Sequence, residues 1–237
     1  PLDADEQKAA DAAQDASRAT DADIDVPAPD GLEYLPYQRG GIAYAMNRPA
    51  TLIGDEMGLG KTIQTIGVIN ADPTIQKVLV VCPASLRLNW RIELKKWLVR
   101  PTTIAVVSGG KKSDWRDADI VIVNYEVLDR HVGWLGDLGF RSMVLDEAHF
   151  IKNKSSQRSQ HVLQVADRIR QRVARPLMLA LTGTPLMEFE VRGAKGAEWE
   201  FDLVKVKAWK DKNEQHLEAE RQAREAELEQ ATLELFG

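Results

Sequence analysis

The chain has 237 residues, 44% of them hydrophobic and 28% charged, with a net charge of −5. These proportions suit a globular core and exclude a collagen-like or wholly disordered chain. No apolar run approaches the roughly 18 residues of a membrane span. The single cysteine, Cys82, excludes an internal disulfide framework and a cysteine metal cluster.

No basic stretch leads into an apolar one at the N-terminus, so the pattern of a secretory signal is absent there. The sequence opens at Pro1, as a fragment or processed product would. A reducing, cytoplasmic setting is expected, with Cys82 as a buried free thiol. The charge is unevenly spread. Residues 1–30 hold 2 basic and 9 acidic residues, residues 31–190 hold 21 and 16, and residues 191–237 hold 8 and 11. The middle segment is mildly basic, which permits a nucleic-acid partner without demanding one.

Residues 1–30 are rich in Ala and Asp and end in Val26-Pro27-Ala28-Pro29. Such a segment has little to bury and is expected to be disordered or a loose helix. From Leu32 short apolar runs begin: Thr51–Ile53, Val78–Cys82, Thr103–Val107, Ile120–Val123, Met143–Leu145 and Leu177–Leu181. They hardly alternate, as strands buried on both faces of a parallel sheet should. Thr62–Asn70, Ser85–Trp97 and Ser155–Arg172 between them have helical character. The expected fold is therefore α/β, a mostly parallel sheet flanked by helices, with ligands at the carboxyl ends of the strands.

Residues 31–187 are assigned to this lobe and 188–237 to a divergent tail. In the tail, Phe189, Val191, Trp199, Phe201 and Leu203 alternate around Gly193 and Gly196, which predicts a β-hairpin. Residues 208–235 predict a long charged helix with a narrow stripe of Leu217, Leu228 and Leu235, a surface for a protein partner.

Asp55-Glu56-Met57-Gly58-Leu59-Gly60-Lys61-Thr62 follows an apolar strand and opens a helix, the setting of a phosphate-binding P-loop. Gly58 and Gly60 allow consecutive N–H groups to face one oxyanion. Lys61 can reach the β- and γ-phosphates, and the Thr62 hydroxyl can ligate Mg²⁺. The common P-loop pattern has glycine where this chain has Asp55. Asp146-Glu147-Ala148-His149 ends another apolar run. Asp146 there is suited to holding Mg²⁺, usually through water, and Glu147 to polarising the attacking water. Lys61, Asp146 and Glu147 are thus the catalytic candidates, with ATP and Mg²⁺ as substrate and cofactor. His131, His149, His161 and His216 lack metal-ligand spacing.

With Leu181-Thr182-Gly183-Thr184-Pro185, these motifs resemble, in order and form, the superfamily-two helicase-like ATPases. More narrowly they resemble the Swi/Snf-type double-stranded DNA translocases, whose phosphate loop has the form DEMGLGKT. The resemblance implies a RecA-like first motor lobe. It implies that Gln38, in Leu35-Pro36-Tyr37-Gln38-Arg39, reads the adenine edge. It implies that Thr182, Gly183 and Thr184 couple nucleotide state to DNA. Loops bearing Pro83, Ser85, Asn89, Gly109, Asn124 and Tyr125 would face one strand of double-stranded or branched DNA. The run Pro83-Ala84-Ser85-Leu86 with Asn89-Trp90 and Lys96-Trp97 is similar to the annealing-helicase branch. For Trp90 and Trp97 themselves, core packing is the expected role. Association with DNA in the cytoplasm, or in the nucleus of a eukaryote, follows.

After Leu186 the sequence departs from that family. No later stretch resembles the helix that carries the arginine finger, and Arg221 and Arg224 read as surface charge. A second RecA-like lobe would have to come from elsewhere, because an arginine finger contributes about 10³–10⁵ in rate. The alternative is a nucleotide-binding or adaptor protein that does not hydrolyse ATP. A kinase or transporter ATPase is disfavoured by Gln38 and by Thr182–Pro185.

Overall fold

A computed structural model describes residues 21–55, 57–107, 115–153 and 155–183, together with the backbone of 190–192, 198–200 and 202–204. In chain order the elements are α1 (Pro36–Met46), β1 (Ala50–Ile53), α2 (Lys61–Ala71), β2 (Val78–Cys82), α3 (Arg87–Trp97), β3 (Ile104–Val106), β4 (Ile120–Asn124), α4 (Val132–Leu135), β5 (Ser142–Asp146), α5 (Gln157–Arg172), β6 (Leu177–Leu181), β7 (Glu190–Arg192), β8 (Glu198–Glu200) and β9 (Asp202–Val204). All six apolar runs are strands.

The main sheet runs β3-β4-β2-β5-β6-β1-β9, and every pairing in it is parallel. In register, Cys82 lies beside Asn124, Asp146 beside Leu181, and Leu181 beside Ile53. The carboxyl ends of β1, β2, β4, β5 and β6 therefore share one rim. Ligand sites of open parallel sheets lie at such rims.

Alternate residues of each strand feed two cores. Val78, Val80, Cys82, Ile122, Val144 and Leu181 join Ile42, Ile66, Trp90 and Leu94 on one face. Leu79, Val81, Val123, Met143 and Leu145 join Val162, Val165 and Ile169 on the other. Cys82 is in the first core, and burial pushes its thiol up to about 12, so it is inert.

Local chemistry sets the helix ends. Pro36 opens α1, where its missing N–H costs nothing. The Leu35 N–H donates back to Gln38 Oε1 at 3.0 Å. The Ser156 side chain caps α5 by accepting from the Ser159 N–H, and Arg170 and Arg172 sit in the last turn, where the helix dipole favours cations. Helices α1 and α2 approach closely. A methyl group on Gly41 would run into the Gln64 amide, and one on Gly67 into Ile42.

Two findings differ from the expected boundaries. Residues 21–30, expected to be disordered or a loose helix, form neither helix nor strand and pack Ile24, Val26 and Ala28 against the first core. Three small apolar side chains suffice because the sheet face is already built beneath them. In the segment assigned to the tail, β7 and β8 form an antiparallel pair, while β9 extends the main sheet alongside β1. The long charged helix expected over 208–235 lies outside the described residues.

Candidate nucleotide site

The turn between β1 and α2 passes through the left-handed region twice, with φ of 88° at Gly58 and 72° at Gly60. Side chains resist that region. Gly60 immediately precedes α2, so the first N–H groups of the helix, which lack partners within it, open onto the rim. Lys61 begins α2 and donates from Nζ to the Asp55 carbonyl at 2.9 Å. Thr62 is half-buried beside it.

Asp55 is a buried carboxylate in the loop just after β1. Gln64 Nε2 donates to its Oδ2 at 2.7 Å, while Oδ1 has no protein partner. Burial raises its pKa to about 6, against the opposing effects of the Gln64 hydrogen bond and the Lys61 charge. The residue that departs from the common P-loop pattern is therefore integrated in the loop: its backbone holds Lys61 and its side chain holds Gln64.

Asp146 ends β5 and is also buried. Three groups hold it. Trp90 Nε1 donates to Oδ2 at 2.7 Å, the Glu147 N–H donates to Oδ1 at 2.9 Å, and the Tyr125 hydroxyl donates to its carbonyl at 2.8 Å. Burial raises the Asp146 pKa. The Trp90 hydrogen bond opposes this, the Glu147 charge adds to it, and the Glu147 N–H and Lys61 charge oppose it. The register that sets Asp146 beside Leu181 and Leu181 beside Ile53 brings the phosphate loop and the Asp146 motif to one rim. Glu147 has φ of 51°, in the left-handed region that non-glycine residues rarely occupy. Its Oε2 lies 3.1 Å from His149 Nδ1, a contact without hydrogen-bond alignment.

Beyond β6, the Thr182 N–H donates to the Ile53 carbonyl at 3.1 Å, tying this strand end to the start of the loop. A methyl group on Gly183 would lie 2.9 Å from Met57 Cγ and 3.5 Å from Lys61 Nζ. Gly183 therefore abuts the phosphate loop. Thr184 lies outside the described residues.

Gln38 is buried next to the same loop. Its Oε1 accepts from the Leu35 N–H, and its Nε2 donates to the Tyr37 hydroxyl at 3.3 Å. Tyr37 in turn donates to the Leu59 carbonyl at 3.0 Å. An amide oxygen has two lone pairs and an amide nitrogen two hydrogens, so one acceptor and one donor position of Gln38 remain beyond these bonds.

The expected DNA-facing residues divide. Ser85 is exposed, and Pro83 and Asn89 are half-buried on the segment leading into α3. Asn124 is buried and donates to Glu126 Oε2 at 2.7 Å. Tyr125 does not face outward: its ring is buried and stacks with Phe150 at a centroid distance of 6.0 Å. The hydroxyl needs a partner once the ring is buried, and the Asp146 carbonyl supplies it. Gly109 lies outside the described residues.

Three site residues escape a reading of the motifs alone: Tyr37, Gln64 and Trp90. Each stands within three residues of a motif residue, and each has a polar group that becomes informative only once the chain is known to bury it.

The donor set suits Mg²⁺-nucleotide. A hydroxyl and a carboxylate are hard oxygen donors, a lysine and a helix N-terminus complement phosphate, and the absence of a side chain at Gly183 lets that strand end sit against the loop. Among the described residues no group of His, Cys, Asp and Glu forms a dedicated metal site, and no helix is long and apolar enough to cross a membrane.

Comparison with known proteins agrees with this geometry. The SNF2-related domain matches residues 37–200. The chain is 32% identical over 171 residues to the human (Homo sapiens) DNA annealing helicase and endonuclease ZRANB3, covering 67% of this chain and 15% of that protein. It is 34% identical over 169 residues to the ISWI chromatin-remodeling complex ATPase ISW1 of Saccharomyces cerevisiae, covering 64% and 14%. The chain thus spans about a seventh of the length of these relatives. Among solved structures, the Sulfolobus solfataricus SWI2/SNF2 ATPase core in complex with dsDNA aligns with a TM-score of 0.57 at 30% identity, covering 68% of this chain and 35% of that one. With the phosphate loop, the strand-end carboxylates and Gly183 gathered on one rim of a parallel sheet, the chain belongs to the SNF2-related domain family.

Proposed function

We propose that this chain is the first, ATP-binding lobe of an ATP-dependent translocase on double-stranded DNA. The observation that carries the reading is the position of Lys61. Its ammonium rests on the Asp55 carbonyl and lies 3.5 Å from where a Gly183 side chain would begin.

In this reading the N–H groups around Gly58 and Gly60 receive the phosphates of ATP, and Lys61 turns from the Asp55 carbonyl to the β- and γ-phosphates. Thr62 and Asp146 hold Mg²⁺, which when bound neutralises phosphate charge. Glu147 orients the attacking water. Gln38 offers its remaining donor and acceptor to the adenine edge, and Tyr37 ties that contact to the phosphate loop through Leu59. Thr182, Gly183 and Thr184 relay the nucleotide state to the loops of Pro83, Ser85, Asn89 and Gly109, with Asn124 and Tyr125 supporting that surface from within. Duplex DNA is the macromolecular partner, as it is for the similar Sulfolobus ATPase core. A second RecA-like lobe supplies the arginine finger, and the Leu217, Leu228 and Leu235 stripe of the tail sequence offers a protein contact. The chain works in association with DNA, in the cytoplasm or a nucleus.

The test is ATP binding by the wild type and Lys61→Ala, with single-turnover hydrolysis with and without duplex DNA. Binding that is lost in Lys61→Ala, and turnover that rises with duplex when both lobes are joined, are expected. Absence of ATP binding by the wild type refutes the reading. Binding without any turnover, even with both lobes joined, assigns the chain to the nucleotide-binding or adaptor class instead.

A further inference from the structure

Asp146 is gripped from both faces of the sheet. Trp90 belongs to the core on one face and Tyr125 to the core on the other, and each sends its only side-chain donor to this residue. Tyr125 holds the backbone, whereas Trp90 holds the carboxylate itself. Trp90 is fully buried, and its indole N–H reaches Oδ2 at 2.7 Å across 56 residues of sequence. The Glu147 N–H holds the other oxygen. An aspartate carboxylate otherwise rotates broadly about its last torsion. With one donor on each oxygen the plane of the group is set before any ligand arrives.

We propose that Trp90 is a positioning residue for the metal-binding carboxylate: its indole N–H fixes the plane of Asp146 so that the carboxylate meets Mg²⁺ without first reorienting. This rests on the functional reading above, and it adds a role to a tryptophan whose expected part was core packing. It also places the first turn of α3, which carries Asn89 and follows Ser85, one hydrogen bond from Asp146. Partners that orient a metal-binding group typically change metal affinity by about 10–100-fold when removed.

The test uses the full chain, with Mn²⁺ as a spectroscopic substitute for Mg²⁺. Mn²⁺ affinity in the presence of ATP is measured by electron paramagnetic resonance, and ATP affinity without metal by calorimetry. Trp90→Phe is expected to weaken Mn²⁺ binding about tenfold while metal-free ATP affinity stays unchanged. In an Asp146→Asn background the same substitution should cause no further loss. Unchanged Mn²⁺ affinity in Trp90→Phe overturns the proposal, as does an equal loss of both affinities, which marks a merely structural residue. A second measurement needs no substitution at Trp90. The assigned indole N–H resonance of Trp90 should lie downfield, move in Asp146→Asn, and shift when Mg²⁺-ATP is added to the wild type. A resonance that responds to neither overturns the proposal even if Trp90→Phe does not fold. A wild type that takes up neither ATP nor Mn²⁺ overturns the functional reading and this one with it, whereas uptake equal in wild type and Trp90→Phe overturns this one alone.

Discussion

Asp55→Asn is the sharpest probe of the phosphate loop, because it changes one charge and almost no volume. Asp55 is 2% exposed, and burial raises its pKa from 3.8 to about 6. Below the lower value both folded and unfolded chains carry the proton, and the residue is neutral in stability. Between the two values the unfolded chain loses its proton first, so stability falls as pH rises. Above about 6 the full cost is present. The gap corresponds to about 3 kcal/mol at about 1.4 kcal/mol per pH unit. Asparagine removes that cost. It also keeps the contact with Gln64: turning the Gln64 amide presents its oxygen, which has no partner now, to the new Asn N–H. Urea unfolding followed by circular dichroism from pH 4 to 7.5 reads the difference. The variant's gain should be small at pH 4, grow through pH 5 and level off at about 3 kcal/mol by pH 7.5. A gain that does not change with pH, or a variant less stable than wild type at pH 7.5, refutes the claim that burial dominates this carboxylate.

Other substitutions test neighbouring parts of the rim. Gly60→Ala forces a side chain into φ of 72° and should cost about 1–2 kcal/mol in thermal or urea unfolding, with a loss of ATP affinity that Gly139→Ala, at φ of 74° but remote from the loop, does not share. Tyr37→Phe strips the Leu59 carbonyl of its donor and Gln38 of its acceptor, so it should destabilise by about 1–3 kcal/mol and weaken ATP binding. Unchanged nucleotide affinity in that variant would separate Gln38 from the loop. DNA affinity of the chain joined to a second lobe should fall linearly on a log–log plot against salt, as release of phosphate counterions requires. A salt-independent affinity would argue against a duplex-backbone contact.

Much of this lobe was legible in the linear chain for a definite reason. Strands buried on both faces are written as unbroken apolar runs, so Val78–Cys82 and Leu177–Leu181 announce themselves without a partner in view. The phosphate loop is equally local: two glycines, a lysine and a helix start lie within five residues. Family resemblance added Gln38 and Gly183, whose places beside that loop no local pattern states.

Tertiary structure alone decided the rest, because the remaining decisions rest on contacts between residues far apart in sequence. Strand order is one, since β2 lies between β4 and β5 rather than beside β1. The fate of Tyr125 is another. A tyrosine after a strand reads equally as a surface contact or a buried donor, and only the neighbouring end of β5 makes it the latter. Residues 21–30 are too polar to fold by themselves, yet a finished sheet face gives Ile24 and Val26 somewhere to pack. Sequence by itself determined which groups this protein holds ready for phosphate and metal. The bond from Trp90 on α3 to the end of β5 decided how Asp146 is held, because a hydrogen bond spanning 56 residues leaves no trace in local order.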